Sequence, residues 1–130
     1  DRKKEKNISR LLNTLDLNLL KRNIREKLYK KHLNSKLVKH PNKKKGSVCW
    51  RYTFLYGGNR DLFFKKVRDA NIDISSWYPS LYKMYSNQNR NFFKNSNILD
   101  KSIVNLWVNP DYSENKIKKD IKKINKLIQN

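Results

Sequence analysis

The stretch VCWRYTFLY, residues 48–56, constrains the fold of this chain more than any other. Its side chains alternate, with Val48, Trp50, Tyr52, Phe54 and Tyr56 on one face and Cys49, Arg51, Thr53 and Leu55 on the other. Period-two spacing of aromatic and β-branched residues specifies a strand with one face committed to a core. The core reading therefore claims Trp50, Tyr52 and Phe54. Gly57-Gly58 ends the strand, and Asp61 opens a helix, DLFFKKVRDA, with Leu62, Phe63, Val67 and Ala70 apolar. IDIS, residues 72–75, is a short second strand. A strand, a helix and a strand between residues 48 and 75 predict a compact crossover unit.

The flanks read as helices. Residues 1–6, DRKKEK, are charged and predict a frayed end, after which Asn7 or Ser9 caps a short helix with Ile8, Leu11, Leu12 and Leu15 on its apolar face. Asp16 is the expected cap of a second helix. That helix places Leu17, Leu20, Ile24 and Leu28 on its packed side and leaves Lys21, Arg22, Arg25, Lys27 and Lys31 to water. HPNKKKG (40–46) is a turn-rich loop, and SNQNRNFFKNSN (86–97) a polar one. SIVNLWV (102–108) is a third strand, stopped by Pro110. Asp111 with Glu114 predicts a capping box for a closing helix striped by Ile117, Ile121, Ile124 and Ile128. The expected architecture is α+β: one domain over residues 1–130, a small, mostly antiparallel sheet backed by helices.

The formal net charge is +20. An excess of this size favours polyanions as partners. Composition offers a second explanation, because Lys and Asn fill roughly a third of the chain and both have AT-rich codons. The basic residues are spread over every polar face and form no single stripe. A lone cysteine, Cys49, excludes an internal disulfide framework and fits a reducing compartment. No apolar run approaches a membrane span, so the expected location is the cytoplasm, with no membrane partner. The chain begins at Asp1, and its only methionine is Met84, which fits a piece of a longer product.

Self-contained chemistry is absent from the sequence. His32, His40 and Cys49 match no zinc spacing, so no metal site is expected. With Gly46, Gly57 and Gly58 the only glycines, there is no phosphate-cradling loop, and no serine sits in a nucleophile elbow. NIDISSWYPSLYKMYSN (71–87) is too irregular for a strand and too aromatic for an ordinary loop. One reading makes the chain a stand-alone RNA- or DNA-binding module, with Trp50, Tyr52, Trp77 and Tyr78 stacking on bases.

A second reading comes from the order of the segments. NISRLLNTLDLNLLKRNIREKLYKKHL resembles the paired helices that open the C-terminal part of the DegT/DnrJ/EryC1/StrS sugar aminotransferases, through Ile8-Ser9, Leu15-Asp16, Lys21-Arg22 and Tyr29. NRDLFFKKVRDANIDISSWYP resembles the family's helix that leads into the substrate-facing segment. NLWVNPDYSENKIKKDIKKINKLI resembles its closing strand and last helix. The resemblance implies the C-terminal small domain of a dimeric enzyme of the aspartate-aminotransferase fold. Such an enzyme uses pyridoxal phosphate to move an amino group, usually from glutamate, to a keto-sugar carried on a nucleotide. The cofactor and its Schiff-base lysine then belong to a large domain outside these residues, and no catalytic or cofactor-binding residue is expected here. Trp77, Tyr78 and Pro79 become the substrate-binding lip, and the opening helices an apolar surface turned toward absent parts. The chain departs from the family at Glu5-Lys6-Asn7, where an Asn-Tyr-Arg triple is usual. It departs again at Trp77-Tyr78, where a His-aromatic pair is common, and at Asn71, where a glycine is common.

Overall fold

The computed structural model describes residues 1–77, 79, 80, 83 and 93–129. Within them lie α1 (Arg2–Asn13), α2 (Leu15–His32), β1 (Val38–Lys39), β2 (Arg51–Tyr56), α3 (Arg60–Asp69) and β3 (Ile74–Ser75). They are followed by α4 (Lys94–Ser102), β4 (Ile103–Trp107) and α5 (Glu114–Gln129). The four strands form one open sheet in the order β1-β2-β4-β3, and every neighbouring pair is antiparallel. The α+β architecture expected from the sequence is the one observed.

The crossover unit takes a particular form. β2 and β3 each pair antiparallel with β4, so they run parallel to each other with β4 inserted between them. α3 carries the chain across that gap. Asn59 caps α3, its side chain accepting from Leu62 N at 3.1 Å. At the other end Asn71 adopts φ 58°, a left-handed conformation that asparagine tolerates better than most residues.

Alternation sorts the sheet into two faces. Tyr52, Phe54 and Tyr56 of β2, Ile74 of β3, and Val104 and Leu106 of β4 enter the core. They pack with Phe63, Phe64 and Val67 of α3, Tyr29 of α2 and the Ile117, Ile121, Ile124 and Ile128 stripe of α5. Each fully buried isoleucine in that stripe contributes about 1.5–3 kcal/mol, which holds α5 to the shared core. Trp50 departs from this pattern. It precedes the strand and is half exposed, whereas Tyr52 and Phe54 are buried.

Several boundaries differ from the sequence expectation. α1 begins at Arg2, because Asp1 caps it by accepting from Lys3 N at 3.1 Å, so residues 2–6 are helical. Thr14, not Asp16, makes the joint with α2. Its hydroxyl donates back to the carbonyls of Arg10 and Leu11, and Asp16 lies within the first turn of α2. On α2, Leu17 and Leu20 are exposed, and the buried residues are Arg25 and Tyr29. Arg25 donates to the carbonyls of Tyr112 (2.6 Å), Pro110 (2.8 Å) and Lys21 (2.8 Å), pinning α2 to the turn after β4. α5 is capped by Ser113, whose Oγ accepts from Lys116 N at 3.2 Å, and not by Asp111. α4 occupies residues 94–102, where a polar loop and the start of a strand were expected. Residues 86–92 of that loop lie outside the described set.

Candidate functional site

All three tryptophans of the chain surround one arginine. Arg51 opens β2 opposite Trp107 of β4, on the sheet face that looks away from Tyr52 and Leu106. Its guanidinium carbon lies 3.7 Å from the Trp107 ring centroid, 4.3 Å from Trp77 and 4.9 Å from Trp50. Trp50 and Trp77 meet edge to face at 5.6 Å, a favoured aromatic geometry. The Trp107 indole N–H donates to the Asp73 carboxylate, and Arg51 Nη1 donates to Ser75 Oγ at 3.0 Å. β3 and the turn before it therefore lock the floor of the cluster, while Trp50 and Trp77 stay half exposed above it. Deeper in the same face, Thr53 Oγ1 donates to Asn105 Oδ1 at 2.7 Å.

The sequence brings Trp77, Tyr78 and Pro79 forward as a lip. Trp77 joins the arginine cluster, Pro79 is exposed beside it, and Tyr78 lies outside the described residues. Ser80 is buried and shares a hydrogen bond with Ser96 of α4 at 2.6 Å, which ties the segment down just beyond the lip. Sequence reasoning missed Arg51 and Trp107 because alternation put Arg51 only on the face opposite the aromatics, and Trp107 was placed in a strand with no partner named. The usable signal was register. Antiparallel pairing of two strands, each with an aromatic next to the pairing position, brings Arg51 and Trp107 together.

The four aromatics of the nucleic-acid reading divide. Trp50 and Trp77 are half exposed. Tyr52 is buried in the core, stacked on Tyr29 at 4.9 Å with its hydroxyl bonded to His40 Nδ1, and has no face for a base. Tyr78 is not described.

Beside the tryptophans, the loop between β1 and β2 stands away from α2 and leaves a cleft of about 430 Å³, lined by Arg51, Trp50, Lys43, Lys44 and Glu26 among others. A larger cleft of about 920 Å³ shares Glu26, Lys43 and Lys44 and adds Lys27, Lys30 and Lys45. Lys43 pairs with Glu26 at 2.5 Å. The walls are thus basic, with their one carboxylate already paired. At the cleft edge, Cys49 is buried and donates its S–H to the Arg51 carbonyl at 3.2 Å. Burial, reinforced by the Glu26 charge, pushes this thiol up to about 12, so it is a packing residue and not a nucleophile. No lysine of the chain is buried, so none has the desolvated setting that a Schiff-base lysine requires. The residues present do not fit pyridoxal phosphate as a cofactor held by this chain.

The surface of α1 and the first turns of α2 is apolar. Ile8, Leu11, Leu12, Leu15, Leu17 and Leu20 are all about half or more exposed, and α1 buries no residue.

No protein-family profile matches this chain, and no curated protein matches it. Solved structures do. An aminotransferase, TlmJ, from Streptoalloteichus hindustanus superposes over 93% of this chain with a TM-score of 0.82 at 13% identity. A DegT DnrJ EryC1 StrS aminotransferase from Brucella abortus matches 87% of it with a TM-score of 0.69 at 24% identity. The sugar aminotransferase CalS13 from Micromonospora echinospora matches 88% with a TM-score of 0.69 at 16% identity. The chain spans 32%, 34% and 32% of the Brucella, TlmJ and CalS13 chains respectively. At these identities the likeness establishes the fold, which is that of about a third of each aminotransferase.

Proposed function

We propose that this chain is the C-terminal small domain of a pyridoxal-phosphate-dependent aminotransferase that transfers an amino group, from glutamate, to a nucleotide-linked keto-sugar. The observation that carries this reading is the superposition on TlmJ over 93% of the chain, within an aminotransferase about three times as long. Segment order in the sequence points the same way independently. The cofactor and its lysine belong to a part of the enzyme outside these 130 residues, in keeping with the solvated lysines here.

The domain's own work is to close the site and to support a homodimer in the cytoplasm. Trp77, Tyr78 and Pro79 line the mouth of the substrate site, where an apolar ring face with one polar handle suits a sugar or a base. The exposed stripe from Ile8 to Leu20 is the surface that docks on the rest of the enzyme.

The test is made on the native product from its source, by intact mass, near-visible absorbance and borohydride reduction. The expected result is a chain about three times longer with a reducible chromophore, trapped on a lysine outside the sequence described here. A colourless product of 130 residues sinks the reading.

A further inference from the structure

Arg51 is a nearly buried cation, 7% exposed, without an ion-pair partner among the described residues. The undescribed residues, 78, 81, 82, 84–92 and 130, include no Asp or Glu side chain. Asp73, whose carboxylate accepts from the Trp107 indole, makes no ion pair with Arg51. Nη1 donates to a neutral hydroxyl, Ser75 Oγ, and Nε is buried with no partner. Three indole rings offset part of the desolvation, but they supply no counter-charge.

Buried ions in folded proteins are paired, because stripping water from an unpaired one is costly. A guanidinium in this state, with donors to spare, is a receptor for a carboxylate or a phosphate, which its planar fork matches. Arg51 and Trp50 are among the residues that line the cleft of about 430 Å³, with Lys43 and Lys44 on its wall. Lys43 is paired with Glu26, and Lys44, which makes no ion pair among the described residues, draws anions toward the same opening.

We propose that Arg51 is an anion-binding residue that receives the carboxylate or phosphate of a ligand whose ring rests on Trp50 and Trp77. The assignment rests on the arginine–tryptophan cluster itself and does not depend on the aminotransferase reading. It stands on the missing ion pair and the buried, unpartnered Nε, and a free-standing binding module would show both equally.

Because every tryptophan of the chain touches Arg51, intrinsic fluorescence reports occupancy directly. The 130-residue chain is titrated with inorganic pyrophosphate, uridine diphosphate and succinate at constant ionic strength. A saturable change is expected with at least one probe. A response to pyrophosphate or uridine diphosphate assigns the anion as phosphate, and a response to succinate alone assigns it as carboxylate. Arg51→Lys keeps the charge but loses the fork and weakens binding about tenfold or more. Lys118→Gln, at an exposed position of α5, leaves binding within about twofold. If Arg51→Lys does not fold, Trp50→Phe at its half-exposed position takes its place, with binding several-fold weaker expected. No fluorescence response to any probe overturns the proposal. So does an equal loss in Arg51→Lys and Lys118→Gln, or unchanged binding in Trp50→Phe.

Discussion

Tyr52 of β2 stacks on Tyr29 of α2, with ring centroids 4.9 Å apart and 13° between the ring planes. The pair joins sheet to helix at the centre of the core, and the Tyr29 hydroxyl reaches past it to donate to the Trp107 carbonyl at 3.2 Å. One side chain thus touches β2, and through its hydroxyl β4. Truncation by Tyr29→Ala removes a ring that is 2% exposed and is expected to cost about 3–5 kcal/mol. Tyr29→Phe keeps the stack and loses only the hydrogen bond, for about 1 kcal/mol. Urea unfolding of the two variants separates the terms. Equal losses would show that the hydroxyl, and not the ring, holds this junction.

The same packing sets an alkaline limit. Burial raises the ionisation of Tyr29 and Tyr52 above the ordinary tyrosine range and moves the Cys49 thiol from 9.0 to about 12. In each case the folded state holds its proton more tightly than the unfolded chain. The associated stability is therefore complete below the ordinary pKa of each group. It falls as pH rises from 9.0 toward about 12 for Cys49, and the tyrosines extend the loss further. Tyrosine ionisation followed by ultraviolet absorbance, with circular dichroism in parallel, is expected to show late-titrating phenols that ionise together with loss of structure. Phenols that all titrate in the ordinary range while the fold persists would contradict the burial of Tyr29 and Tyr52.

Arg25 is the second buried cation, and unlike Arg51 it is fully engaged by main-chain carbonyls. Arg25→Met preserves much of the stem and leaves the carbonyls of Pro110 and Tyr112 without this donor. A loss of about 2–4 kcal/mol is expected in urea unfolding. Arg25→Lys recovers little of it, since one ammonium does not reproduce a planar fork aimed at separate oxygens. Full recovery in the lysine variant would mean that charge alone, without geometry, holds α2 to the β4–α5 turn.

The helices and strands that were legible in the sequence are those whose residues face one continuous core. The Ile117–Ile128 stripe and the alternation through Tyr52, Phe54 and Tyr56 each repeat at the period of their element. On α3, Phe63 and Val67 were read correctly, but Leu62 is exposed and Phe64 is buried. Caps were less legible, because Asp16, Ser113, Asp111 and Thr14 are all competent cap residues and only the backbone decides among them. Arg25 was placed in water by a rule true of most arginines, and the carbonyls that bury it come from about 85 residues away in sequence. α4 was missed because its sequence, KNSNILDKS, is polar and carries no strong period. Of the candidate site, Trp77 was visible as an aromatic in an unusual place. Its partners Trp50, Arg51 and Trp107 come together only through strand register.

The exposed stripe on α1 and α2 gives the sharpest contrast between local pattern and energetic role. Leu12 is 63% exposed and Leu15 46%, whereas Ile121 is 3% exposed, although all three sit at apolar positions of amphipathic helices. Burial and not pattern decides the energy, so Leu12→Gln and Leu15→Gln are expected to change stability by no more than about 0.5 kcal/mol. Ile121→Ala is expected to cost about 2–4 kcal/mol, from lost transfer energy and the cavity left behind. Self-association should respond in the opposite order. An apolar stripe of six residues in water drives chains together, so the two glutamine variants together should lower the self-associated fraction in sedimentation velocity, while Ile121→Ala should not. A loss of 2 kcal/mol or more from Leu12→Gln would show that this leucine is packed within the chain itself and that the stripe is not a free surface.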